Sequence, residues 1–155
     1  MTGPRIQHLD DVPWEEVRKI DFGDRTASVR EKWLDFSPRF LSLLAEWDAG
    51  MMIHAHGHNS DHIVYVLRGS VHCGDVECGP GTHIALDQGD TFGPFVAGSE
   101  GCTLFEVMMG DPRSWGDQPE TLDALRAEHG VEGLPDPELD FPDWLSDLRG
   151  QWGQA

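Results

Sequence analysis

An all-β jelly roll, two antiparallel sheets closed into a barrel with short helical extensions at both ends, is the fold this sequence predicts. Three observations predict it. Turn signals recur about every eight to twelve residues, at Arg68-Gly69, Gly74-Asp75, Gly79-Pro80-Gly81, Gly89-Asp90 and Gly98-Ser99-Glu100-Gly101. The segments between them, Val71 to Cys73, His83 to Leu86, Thr91 to Val96 and Cys102 to Met109, are short and largely apolar. His54, His56 and His58 alternate with Ile53, Ala55 and Gly57, the period of two that a pleated strand requires. Evenly spaced short strands point to a sandwich or barrel, and a double-sheet jelly roll is the natural closure.

In chain order, residues 1–28 are expected to be an N-terminal extension. Pro13 followed by Glu15-Glu16 suits the first turn of a short helix. Residues 29–112 are expected to form the barrel. Val29 to Phe36 is a strand anchored by Trp33 and Phe36, and Phe40 to Trp47 is a second, followed by the turn Asp48-Ala49-Gly50. The histidine strand follows, then the polar turn Asn59-Ser60-Asp61 and the apolar run Ile63 to Leu67. A hairpin there brings His62 back toward the histidine row. Gly110 to Arg113 closes the barrel. Residues 113–155 are expected to be a helical tail packed on it. Thr121 to His129 has helical spacing and stops at Gly130, 133–137 is a linker, and Phe141 to Arg149 is a second amphipathic helix with Trp144, Leu145 and Leu148 as its stripe. Packing on the barrel or on a partner subunit, and a lid over the pocket mouth, are both open for that helix.

The chain has 155 residues, enough for one domain with a real core. Its net charge of -17 argues against nucleic acid and anionic membrane surfaces, which are bound through Lys and Arg. The odd count of three cysteines, Cys73, Cys78 and Cys102, gives no disulfide framework and suits reduced, buried thiols. No leader-like segment and no apolar run of membrane-spanning length is present in the sequence, so a cytoplasmic location is expected. The expected partner is a small-molecule substrate.

Chemistry concentrates at His54, His56, His58 and His62, four imidazoles within nine residues. Imidazole is the commonest protein ligand for divalent metals. Gly50, five residues, His56-Gly57-His58, three residues, His62, six residues and Gly69 reproduce the frame of the first motif of the cupin superfamily, with His62 where that family carries Glu. Downstream, Gly81, Asp87, Gly89 and Phe92 occupy the frame of the second motif, with Asp87 at its Pro and Phe92 at its last His. The chain resembles a small single-domain cupin over roughly residues 40 to 110.

What the resemblance implies is one divalent ion per chain, held by His56, His58 and His62. With no anionic ligand and nothing at Phe92, coordination positions stay open, as a catalytic metal requires. Fe2+ is favoured by likeness to cupin oxygenases, with Zn2+, Ni2+ or Mn2+ as alternatives. A second register, His54, His56 and Asp61, breaks the spacing to Gly69. Met52, Val64, Val66 and Phe92 are the expected apolar pocket wall, and His54, Tyr65 and Glu106 the expected acid–base groups.

Three functions follow from this site. The first is a three-histidine dioxygenase acting on a two-oxygen substrate such as a β-diketone, hydroxyketone or enediol. The second is a non-redox isomerase, lyase or cyclase in which the metal polarises a carbonyl. The third is a metal-free, small-molecule-binding cupin without catalysis. By the same likeness the chain is expected to be a homodimer, with Trp33, Trp47, Met51 and Ile53 on the intersubunit face.

Overall fold

The computed structural model describes residues 3–145. A 3-10 turn, Leu9–Asp11, leads into β1 (Glu15–Asp21), β2 (Thr26–Phe36), β3 (Leu41–Trp47), β4 (Met52–Ile53), β5 (Ala55–Asn59), β6 (His62–Cys73), β7 (Val76–Cys78), β8 (His83–Leu86), β9 (Phe95–Met108), β10 (Asp111–Gln118), helix α1 (Pro119–His129) and β11 (Glu132–Gly133). All pairings among the described residues are antiparallel. One sheet runs β11-β1-β2-β3-β9-β6-β7, with β4 added to β9 and β8 to β6, and β5 pairs with β10 in a second, two-stranded sheet. The chain is mostly strand, as the fold class predicts.

Period-two burial builds the core. On β3, Leu41, Leu43, Ala45 and Trp47 are buried while the residues between them are only partly so. Val29, Val66, Val71 and Leu104 join them, and Trp47 meets Phe95 edge-on at 5.8 Å.

Two expected turns are not chain reversals. Arg68-Gly69 lies inside β6, and Gly98 to Gly101 lies inside β9. Each strand instead changes its inward face there. Val64 and Val66 point inward before the corner on β6, and Val71 after it. On β9 the inward residues are Phe95 and Ala97, then Cys102 and Leu104. The β6–β9 register slips at this place, between Val66 and Arg68 and again between Gly69 and Val71. Such bulges add a residue and bend the strand, which carries both strands round the barrel corner. Gly69 (φ 70°) makes the corner possible. A Cβ there would lie 2.1 Å from the Gly101 carbonyl oxygen and 2.8 Å from the Cys102 Cα. Gly69→Ala therefore combines a left-handed backbone with a backbone collision, at an expected cost on the order of 2–6 kcal/mol. Urea unfolding measures this loss, and a midpoint unchanged from the parent would show that the corner yields freely.

Three further expectations are corrected. Residues 15–21 are a strand, not a helix start. Pairing with β2 from Glu15↔Glu31 to Asp21↔Thr26 satisfies the backbone and buries Ile20, whereas a short acidic helical turn gains little alone. Residues 111–118 are also a strand, β10, on β5, with two irregularities in its register. Gly116 and the polar residues around it hide the alternation from a sequence reading. The supposed intersubunit residues face inward, because Trp47, Met51 and Ile53 belong to the core and Trp33 stacks on Phe141 at 5.7 Å.

Helix α1 ends at Gly130 in the left-handed conformation, as expected. From β11 the chain returns across the barrel mouth, where Phe141 and Trp144 pack on Trp33 and Phe36. Residues 143–145 form a single 3-10 turn. The remainder of the expected second helix, including Leu148, lies outside the described residues.

Candidate active site

A cavity of about 330 Å³ opens inside the barrel. His56, His58, His62 and Glu106 line it, and the rest of its lining is mostly apolar, with Val64, Leu104, Met108, Phe92 and Phe95 among those residues. Residues 136–141 border it through Asp136, Pro137, Leu139 and Phe141, so the tail both packs on the barrel and lies along the pocket.

Each of the three motif histidines has one ring nitrogen fixed. His56 Nδ1 lies 2.8 Å from the His54 carbonyl oxygen, and His58 Nδ1 lies 2.7 Å from the Pro112 carbonyl oxygen. Each Nδ1–H donates to its carbonyl, which leaves Nε2 as the lone-pair nitrogen. His62 is anchored in the opposite sense, with Nε2 2.9 Å from Glu106 Oε1, while its buried Nδ1 has no partner. Ring centroids are 5.0 Å apart for His56–His58 and 4.8 Å for His58–His62. All three rings are buried. Desolvation, reinforced by the neighbouring imidazole for His56 and His58, lowers their pKa values to about 3, 3 and 4 respectively. The imidazoles are therefore neutral throughout the physiological range, the state that ligates metal.

These features bear on whether a divalent ion fits. Among the described residues, no three His, Cys, Asp or Glu side chains stand as a ready-made ligating cluster. The chemistry of the donor set nevertheless fits. Anchoring one imidazole nitrogen to a carbonyl or carboxylate, so that the other is offered, is the usual outer-shell support of a metal-binding histidine. The buried, orphaned Nδ1 of His62 lacks only a partner, and leaving such a nitrogen unsatisfied is costly.

Phe92 stands where the second motif places its last ligand. Its backbone bridges to His56 through both N–H···O bonds, at 3.1 and 2.9 Å. Its ring lies 5.7 Å from the His56 ring and 5.5 Å from the His62 ring. The fourth side of the histidine cluster is thus an aromatic face.

The remaining predicted residues divide. Glu106 and Val64 line the cavity. Val66 and Met52 are buried elsewhere in the core and do not line it. Tyr65 is exposed on the outer face of β6, because it is out of phase with His62, Val64 and Val66. His54 is also outside the cavity. The chain leaves β9 at Ile53 and joins β10 at Ala55, so strict alternation fails at residue 54. The His54 ring turns to Asp117, with Nε2 to Oδ1 at 2.9 Å. Asp61, the carboxylate of the competing register, is exposed and accepts the Gln88 N–H instead.

Sequence reasoning missed Glu31, Trp33 and Arg18, which enter from β1 and β2. Glu31 is half-buried, and what remains accessible of it faces the cavity. Its Oε2 accepts the Trp33 Nε1–H at 2.9 Å. Desolvation, then the charge of Glu106, pushes the Glu31 carboxyl up to about 7, and desolvation pushes Glu106 up likewise. Arg18 pairs with Asp136 of the tail. A carboxylate within an otherwise alternating apolar strand, as at Glu31 between Val29 and Trp33, was the available signal.

No family model matches the chain, and no curated protein matches it. Solved structures do. RemF, a polyketide cyclase from Streptomyces resistomycificus, is 25% identical with a TM-score of 0.56, over 73% of this chain and 84% of that one. An RmlC-like cupin from Shewanella frigidimarina is 15% identical with a TM-score of 0.55, over 72% and 95%. KdgF from Halomonas sp. is 14% identical with a TM-score of 0.54, over 69% and 94%. With the histidine frame on β5 and β6 and the antiparallel barrel, these likenesses show that the chain has the cupin fold.

Proposed function

We propose that this cupin is a metal-dependent enzyme of the non-redox kind, which moves a proton next to a carbonyl in an isomerisation or cyclisation. The observation that carries this reading is the company the histidines keep. Two carboxyls with raised pKa values, Glu106 and Glu31, line the same apolar cavity. Groups held near neutrality in a closed pocket are what general acid–base catalysis needs. An oxygenase needs open coordination positions but no such pair. The polyketide cyclase RemF, at 25% identity, is in keeping with it.

His56, His58 and His62 would hold the ion, and when bound it would act as a Lewis acid toward a carbonyl oxygen. The chain does the rest. Phe92, Phe95, Leu104 and Met108 exclude water from the reacting carbon. The carbonyls of His54 and Pro112 hold His56 and His58 in one tautomer. Glu106 keeps Oε1 on His62, and its Oε2 is the atom that accepts a proton from substrate.

Phenacyl alcohol, an aryl hydroxyketone, tests this. Zn-loaded protein in deuterated, oxygen-free buffer is expected to exchange the protons beside the carbonyl, read by NMR. Glu106→Gln is expected to slow exchange by roughly 10²-fold or more. Turnover that appears only when oxygen is admitted, with Fe bound, would instead favour the dioxygenase reading, which the three neutral nitrogen donors also suit.

A further inference from the structure

Glu31 is hard to explain as a structural residue. Its one hydrogen bond comes from the Trp33 indole, and burying a carboxyl costs free energy unless a cation or several donors answer it. The charged groups around it answer it only in part. Arg18 on β1 favours the ionised form, but its guanidinium is paired with Asp136 of the tail. Glu15, opposite Glu31 on β1, and Glu106 on β9 have the same sign as Glu31, and β3 offers Leu41, Leu43 and Ala45. A Gln or Leu would fill the position at lower cost. What Glu31 does have is access, because it faces the cavity that holds the three imidazoles.

We propose that Glu31 is a second acid–base residue of this pocket, whose carboxyl delivers a proton to a carbonyl oxygen of the bound substrate while Glu106 takes one from carbon. The proposal rests on the enolisation reading above. Strand order separates the two roles. Glu31 pairs with Ala45, which pairs with Leu104, and Trp33 pairs with Leu43, which pairs with Glu106. The two carboxyls thus rise from strands about 10 Å apart, a span that lets them address different atoms of one small molecule. Trp33 Nε1–H holds Oε2, so Oε1 is the oxygen that carries the transferable proton.

The step balances within the substrate and these two groups. Glu106 Oε2 takes the proton from the carbon beside the carbonyl, and that C–H pair becomes the C=C bond. The carbonyl π pair moves to oxygen, which receives the proton of Glu31 Oε1. Reversal, at the same carbon or at its neighbour, returns both protons, and no oxidant or reductant is consumed. The apolar wall and the like charge of Glu106 favour the neutral form of Glu31, so that an acid is available at neutral pH.

Glu31→Gln tests the proposal. Glutamine keeps the volume and can still accept from Trp33, but it cannot deliver a proton. Exchange of phenacyl alcohol by the Zn-loaded variant is expected to lose roughly 10²-fold or more in kcat, with KM changed only a few-fold and the alkaline limb of the pH profile gone. A variant that keeps the parent rate and that limb overturns the proposal. Infrared difference spectra of the two proteins supply a readout independent of turnover. At mildly acidic pH the parent is expected to show a protonated-carboxyl band that Glu31→Gln removes and that shifts when phenacyl alcohol binds. If the parent catalyses no exchange, the enolisation reading fails. In that case a band that shifts on binding still assigns Glu31 as a proton donor to the ligand, and an absent or unshifted band overturns the assignment.

Discussion

Metal retention is expected to collapse in the His56→Ala/His58→Ala double variant. Elemental analysis of untagged protein, prepared without oxygen, should find about one equivalent of a divalent ion in the parent and none in the variant. Loss of a mere orienting partner of a ligand typically costs 10–100-fold in affinity, so loss of two ligands should exceed about 10²-fold. The structure makes the comparison sharp because neighbouring groups differ in role. His54→Ala removes a ring that faces Asp117, outside the cavity, yet keeps the carbonyl that anchors His56. That variant should keep its metal, as should Tyr65→Phe on the outer face of β6. Glu106→Gln should weaken binding by an intermediate amount, since it alters the anchor of His62 alone. Iron in the parent would move the next assay to oxygen uptake, and zinc, nickel or manganese to the exchange assay. A parent that takes up none of the four would remove the metal from this site and leave the protein as a binding module.

The histidine row was legible because strand alternation and fixed spacing coincide at His56, His58 and His62. The second motif was legible even with its ligand replaced, since the bridge between His56 and Phe92 sets position 92 against the cluster. Alternation failed where a strand changes partner or face. His54 sits at a change of partner, and Arg68-Gly69 and Gly98 to Gly101 mark corners that short-range turn chemistry cannot distinguish from reversals. Pocket residues were misassigned for a related reason. Val66 has the inward phase of His62 but lies too far along β6, and Met52 packs into the core. Glu31 and Arg18 were out of reach because they enter the cavity through the pairings β1–β2, β2–β3 and β3–β9. A local pattern carries no information about which distant strand will lie across the barrel.

Acid is expected to unfold the metal-free protein steeply, but only after a shallow interval. The sign of each group decides this. His56, His58 and His62 have folded pKa values depressed to about 3, 3 and 4. Their contribution is present above the ordinary histidine value of about 6.5 and is lost as pH falls toward those folded values. Glu31 and Glu106 act in the other direction. Raised to about 7, they stabilise fully below the unfolded carboxyl value of 4.5, and that contribution is lost as pH rises through about 7. Between about pH 6.5 and 4.5 the unfolded chain holds three protons on the histidines, whereas the folded chain holds two on the glutamates. The difference of one proton gives a slope of roughly 1.4 kcal/mol per pH unit. Below 4.5 the unfolded chain gains both carboxyl protons as well, the difference becomes three, and the slope rises to about 4 kcal/mol per unit until folded His62 takes its own proton near pH 4 and the difference drops to two. Against a total stability of about 5–15 kcal/mol, the loss accumulated by pH 4 is a large share of the whole. Asp48 and Glu16, held low chiefly by hydrogen bonds from Arg30 and Lys19, add in the same direction. Urea midpoints across the pH range measure the curve. Glu31→Gln/Glu106→Gln removes the two offsetting protons, so its stability should fall at the three-proton slope from pH 6.5 downward. A parent that already declines that steeply at pH 6 would mean that the two carboxyls are ionised in the folded protein, and the acid–base pair would be lost with them.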